Sequence, residues 1–130
     1  MSIHRPSLFK PRLGALPDPD FPGFAPPAQA PAVEGYDEET AALGADDQAR
    51  LASAAIDATD GFGLYGYFTS GVTEMAIAST TGAETDQAQT DAVCLCLAAG
   101  EDASGYAVRT GWRVSSVDVE EAAREASSKA

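Results

Sequence analysis

The residues that could carry chemistry in this 130-residue chain are few: two cysteines, Cys94 and Cys96, one histidine, His4, and two neighbouring arginines, Arg109 and Arg113. Cys94 and Cys96 lie two apart in a stretch that reads as a strand, which puts both side chains on one face. A disulfide between them would be strained. A metal centre would need further ligands, and no second cysteine pair or nearby histidine supplies them. Two small core residues is the simpler reading. His4 stands in a basic, proline-broken segment, without the orienting partner and dry site that a general base needs. A solvated imidazole fits it better. Gly61-Phe62-Gly63-Leu64-Tyr65-Gly66 spells the GxGxxG pattern. The phosphate-binding version requires a strand before it and a helix opening after it. Here a helical pattern precedes and a strand pattern follows, so the match is accidental; the glycines instead let the chain turn sharply into a sheet. Arg109 and Arg113, four apart on one expected strand, share a face. They can receive a peptide carboxylate or pair with Glu84, Asp86 or Asp91 across the sheet, and internal pairing is favoured. The expected set of catalytic and metal-binding residues is therefore empty, and no substrate contact is assigned.

Whatever these residues do, the elements around them must hold them. All eight prolines lie in residues 1–31. Each removes a backbone donor and fixes φ, so residues 1–36 read as an extended arm, either disordered or laid along a partner. Phe9, Leu13, Leu16, Phe21 and Phe24 are more large apolar groups than a disordered tail carries, which points to packing. Residues 37–130 read as one α+β domain. From Asp46 to about Thr59 the apolar period is helical, with Leu51, Ala55 and Ala58 on one face and Ala52 and Ile56 beside it. The period then becomes two. Strands are expected at 64–70, 73–80, 84–98 and 106–114, with tight connections at Gly71-Val72 and Thr81-Gly82 and a polar loop at 100–105. Short connections make the strands antiparallel neighbours. A closing helix spans 118–129, with Asp118 and Glu121 at capping-box spacing. The expected fold is a four-stranded antiparallel meander covered by two helices and preceded by the proline-rich arm. Trp112, Tyr106, Phe68 and Leu97 are its expected large cluster. Two alanine-rich helices are a thin cover for such a sheet, so marginal stability or dependence on a partner is expected.

Charge narrows the function. Eight basic and 20 acidic residues give a net charge of −12. Residues 1–13 contribute +3, residues 14–60 contribute −9 and residues 61–130 contribute −6. Such a chain repels phosphate backbones, which excludes general nucleic-acid binding. Surface carboxylate on this scale suits a high-salt cytoplasm, where screening relieves self-repulsion; the alternative is simply an acidic protein. No apolar run is long enough to span a bilayer. The basic N-terminus lacks the apolar stretch of a signal peptide because prolines interrupt it, so a cytoplasmic location is expected.

The stretch from Gly63 onward resembles the TldD/PmbA family, also called peptidase family U62 or modulator of DNA gyrase. The residues that carry the resemblance are Gly66-Tyr67-Phe68-Thr69-Ser70-Gly71-Val72, then Ala76-Ile77-Ala78-Ser79-Thr80-Thr81-Gly82, then Ala103-Ser104-Gly105-Tyr106-Ala107 with Arg109. Asp118–Ala130 resembles the helix that follows in family members. Pro19–Phe24, Gly35-Tyr36-Asp37 and Thr40–Leu43 are similar to the family's proline-rich linker and helix start. The resemblance implies a cytoplasmic, heterodimeric zinc metallopeptidase that cleaves unfolded peptides in an internal channel. The family's zinc helix reads His-Glu-x-x-x-His, and this sequence, with His4 alone, has no such motif. No catalytic, metal or cofactor residue carries over. The resemblance therefore implies a central piece of the family's N-terminal domain, non-catalytic by itself, which contributes to a subunit interface or chamber wall beside a protein partner. Two other readings stand beside it: an independent small acidic binding or regulatory domain, and a catalytic subunit completed by a separate polypeptide that supplies zinc ligands.

Overall fold

The computed structural model describes residues 16, 18–59 and 61–130. His4 and most of the arm's N-terminal half lie outside the described residues. Residues 18–37 form no helix or strand. Phe21 and Phe24 meet edge to face at 5.2 Å, yet both rings are exposed. The chain then forms α1 (Glu38–Ala41), α2 (Ala45–Asp57), β1 (Gly63–Ala78), β2 (Glu84–Ala99), β3 (Ser104–Gly111), a 3₁₀ turn at Val114–Ser116 and α3 (Val119–Lys129). The result is an α+β fold: a three-stranded antiparallel sheet in the order β1-β2-β3 with the two longer helices on one face.

The sheet corrects the expected strand count from four to three. Residues 63–78 form a single 16-residue strand that runs straight through Gly71-Val72. Its pairing with β2 is continuous from Gly63↔Ala99 to Ala78↔Glu84, with Gly71 opposite Asp91. Gly71 does not adopt a positive φ, so nothing bends the chain there. The hairpin closes instead at 79–83, where Gly82 has φ 90° and Ser79 and Ala83 are hydrogen-bonded. β3 ends at Gly111 rather than reaching Val114, because Trp112 and Arg113 lead the chain into the 3₁₀ turn.

Helix ends follow from local polar groups. Asp37 caps α1 by accepting from Thr40 N at 2.9 Å. In α2, the Asp47 carboxylate reaches back to Gly44 N, 3.1 Å away. Asp118 caps α3 by accepting from Glu121 N at 2.8 Å, as its spacing suggested.

The core lies between the sheet and helices α2 and α3. Along β2, Ala92, Cys94, Cys96 and Ala98 are buried, while the intervening residues face the other way. Ala107, Ala122, Ala123 and Ala126 join them beneath α3, and Ala55 beneath α2. Leu51 and Ala58 pack at the margin of this core as expected, but Ile56 is 60% exposed and reaches only the rim of the cavity between α2 and the sheet. The expected aromatic cluster does not form. Phe68 packs on the helix side, whereas Tyr106 is on the opposite face beside Leu97, its partner across β2 and β3. Alanine dominates because the layers approach so closely: a Cβ on Gly105 would lie 2.0 Å from the Ala126 carbonyl oxygen.

Candidate functional site

The polar residues of the described chain gather into three groups, and each reads as structural. The first is a hub around Thr40 and Thr90, both buried. Thr90 N donates to Gly35 O at 2.9 Å, and its hydroxyl donates to Trp112 O at 2.6 Å while accepting from Asp37 N at 3.1 Å. The Thr40 hydroxyl donates to Asp37 Oδ2 at 2.6 Å and accepts from Val114 N at 2.7 Å. Two side chains thus fasten the end of the proline-rich segment, the start of α1 and the chain leaving β3. The Thr40 hydroxyl and amide hold the Asp37 carboxyl below its usual range. Asp37-x-x-Thr40 is legible as a cap; nothing in the sequence marks Thr90 except that β2 turns from polar to apolar there.

The second group is ionic. Arg109 donates to Glu125 at 2.5 Å and lies 3.7 Å from Glu121. Lys129 donates to Glu125 as well, and also to Tyr106 O at 3.0 Å. The Lys129 ammonium, then the Arg109 guanidinium, lower the Glu125 pKa. Arg113, off the strand, pairs with Glu34 at 2.9 Å, and its guanidinium stacks 3.9 Å from the Trp112 ring centre. Both arginines are therefore paired within the chain, as favoured, but with Glu125 and Glu34 rather than with Glu84, Asp86 or Asp91.

The third group is the cysteine pair. Cys94 and Cys96 are free and buried, with their sulfurs 3.7 Å apart. Burial, reinforced by the neighbouring thiol, pushes Cys94 up to about 12. A thiol so poorly ionised is a weak nucleophile and a weak ligand. The two border an apolar cavity of about 110 Å³ between α2 and the sheet, lined also by Leu51, Ala55, Leu64 and Phe68. Gly66 sits at this cavity with φ 155°, and a Cβ there would lie 1.9 Å from Leu95 O. The GxGxxG run is thus the entry of β1, and Gly66 is required by close strand contact rather than by phosphate. Among the described residues, no three His, Cys, Asp or Glu side chains gather as a metal site would require.

What remains is a surface. The face of the sheet away from the helices carries Tyr65 and Tyr67 from β1, Leu95 and Leu97 from β2, and Tyr106 and Val108 from β3. Their register makes them neighbours: Tyr65–Leu97–Tyr106 form one row and Tyr67–Leu95–Val108 the next. The tyrosines are 64%, 52% and 51% exposed. No secondary-structure element among the described residues packs over this face. Sequence reasoning placed Tyr65, Tyr67 and Thr69 on one side but assigned that side no role.

No known family profile and no curated protein sequence matches the chain. Among solved structures it is similar to a Thermotoga maritima protein described as a candidate modulator of a DNA gyrase. The TM-score is 0.63 at 15% identity, and the likeness covers 82% of this chain and 27% of that one. The chain thus spans about a quarter of the length of the protein it matches. The likeness is one of fold. No helix among the described residues is long and apolar enough to cross a membrane.

Proposed function

We propose that this chain is a non-catalytic module of the TldD/PmbA type, whose role is to contribute a subunit interface or a wall of a peptide chamber. The observation that carries the reading is the fold likeness to a candidate gyrase modulator over 82% of the chain, together with the ordered residue resemblance from Gly63 onward. The polar groups support it. Arg109, Arg113 and Asp37 are engaged within the chain, both cysteines are buried, and Cys94 is poorly ionised. In this reading the zinc chemistry belongs to other segments or other chains, the partner is a protein of the same type, and the setting is cytoplasmic.

The test is peptide hydrolysis by the purified 130-residue chain, with unfolded peptides and added zinc. The expected result is no turnover above buffer. Metal-dependent cleavage without a companion protein would overturn the non-catalytic reading. The competing reading, an independent acidic binding domain, draws support from the tyrosine face, which is exposed among the described residues. It predicts a partner of unrelated sequence, whereas a TldD/PmbA module would associate with a polypeptide carrying His-Glu-x-x-x-His.

A further inference from the structure

The face of the sheet away from the helices, over which no helix or strand of the described residues packs, differs in charge from the rest of the molecule. Strand alternation and register assign it twenty positions: the odd-numbered residues of β1 and β2, and 104, 106, 108 and 110 of β3. Asp91 is the one charged residue among the twenty, in a chain that is 22% charged and carries 20 acids. The twelve positions where the sheet is three strands wide hold no charge at all. On the opposite face of the same hairpin stand Glu74, Glu84 and Asp86, so the strands themselves do not exclude carboxylates. Carboxylates are cleared from one face only.

We infer that this face is the contact surface between two copies of the chain, packed sheet against sheet about a two-fold axis. Two molecules of charge −12 repel, and the three-stranded part of this face lets them meet without opposing carboxylates, with Asp91 only at its outer end. A two-fold contact needs a self-complementary patch, which central Leu95 and Leu97 flanked by three tyrosines supply. Area is sufficient as well. At about 3.3 Å per residue and about 4.8 Å per strand, the face covers about 600 Å². Two copies would bury about 1,200 Å², the lower end of the range for specific interfaces. This names a surface for the interface role proposed above, occupied by a second copy of the chain rather than by the zinc-carrying polypeptide, and rests on that reading only for its biological setting.

Sedimentation equilibrium of the full chain from about 1 to 500 μM, in 0.1 M and 1 M KCl, tests it. The expected result is a monomer–dimer equilibrium that tightens at least tenfold in the higher salt, because screening weakens the repulsion while the apolar contact persists. Tyr67→Glu and Tyr106→Glu, verified as folded by circular dichroism, weaken association at least tenfold; Ser53→Glu, on the exposed side of α2 and away from the cavity, leaves it unchanged. Nitration of tyrosines in the unmodified protein gives a readout free of variants: Tyr65, Tyr67 and Tyr106 are protected at high concentration and labelled on dilution. A monomer at 500 μM in both salts overturns the inference, as does a dimer indifferent to Tyr67→Glu or capture of a different partner by a monomeric chain. Peptide hydrolysis by the chain would sink the non-catalytic reading and leave this one standing.

Discussion

At the scale of single residues, close packing between sheet and helix and between neighbouring strands rests on atoms that are not there. Gly105 brings β3 against the Ala126 carbonyl, and Gly66 brings β1 against the Leu95 carbonyl. A methyl group at either place has backbone before it, not a side chain that can swing aside. Gly105→Ala and Gly66→Ala are each expected to destabilise by about 3 kcal/mol, the upper end for overpacking, in urea denaturation. The cysteines give a second prediction. Both thiols are buried, and Cys94 is pushed up to about 12 by that burial, so neither is accessible to a disulfide reagent at pH 8 in the folded protein. Labelling tracks unfolding, and rapid modification without loss of ellipticity would contradict the buried placement. The sequence announced the cysteines' role but not the glycines'. Spacing placed Cys94 and Cys96 on one face, whereas the need for Gly105 arises from α3, which lies more than a dozen residues further along the chain.

Elements were legible where their signal is local. The apolar period and caps located α2 and α3 to within a residue or two, and the register-forming turn at Thr81-Gly82 is real. Gly71-Val72 misled because a glycine between two alternating stretches looks the same in a turn and in a long strand; what decides is pairing with β2, twenty residues away. The same limit hid the Thr90 hub, whose partners Gly35 and Asp37, just before α1, and Trp112, after β3, come from two segments far apart in the chain. Thr90→Val removes the donor to Trp112 O and the acceptor for Asp37 N. A loss of about 1–3 kcal/mol is expected, largely recovered in Thr90→Ser. Acid acts on the same junctions. Asp37 and Glu125 are both held below their usual pKa in the folded chain, so each contributes stability that is fully present above the unfolded value. That contribution is lost as pH falls through the lower folded value. Melting curves between pH 6 and 2 are expected to converge for the wild type and an Asp37→Asn, Glu125→Gln double variant at the acid end, and to separate above pH 5. Curves separated equally at pH 2 and pH 6 would contradict it.

For the whole molecule, charge and cover are the governing quantities. An alanine-rich core under a net charge of −12 is thinly stabilised, and its carboxylates lie mainly off the tyrosine face. Rising KCl shortens the reach of their repulsion. The melting temperature is expected to climb by several degrees between 0.05 and 2 M KCl, and a flat response would remove the case for a high-salt habitat. Composition made this legible without any structure. The tyrosine face was not legible as a face, because its twenty positions become contiguous only when three strands are laid side by side.

The long hairpin has one more consequence. Its root, beside β3 and under the helices, is flanked on both sides of β2; its outer half, from about Gly71 to Asp91, has β1 and β2 alone for company apart from the tether at Thr90. Opening the outer half breaks one ladder, and opening the root breaks two and uncovers the core. Deuterium should therefore enter as along a zip fastener, from the loop at 79–83 inward, and stop where Gly111 meets Ala92.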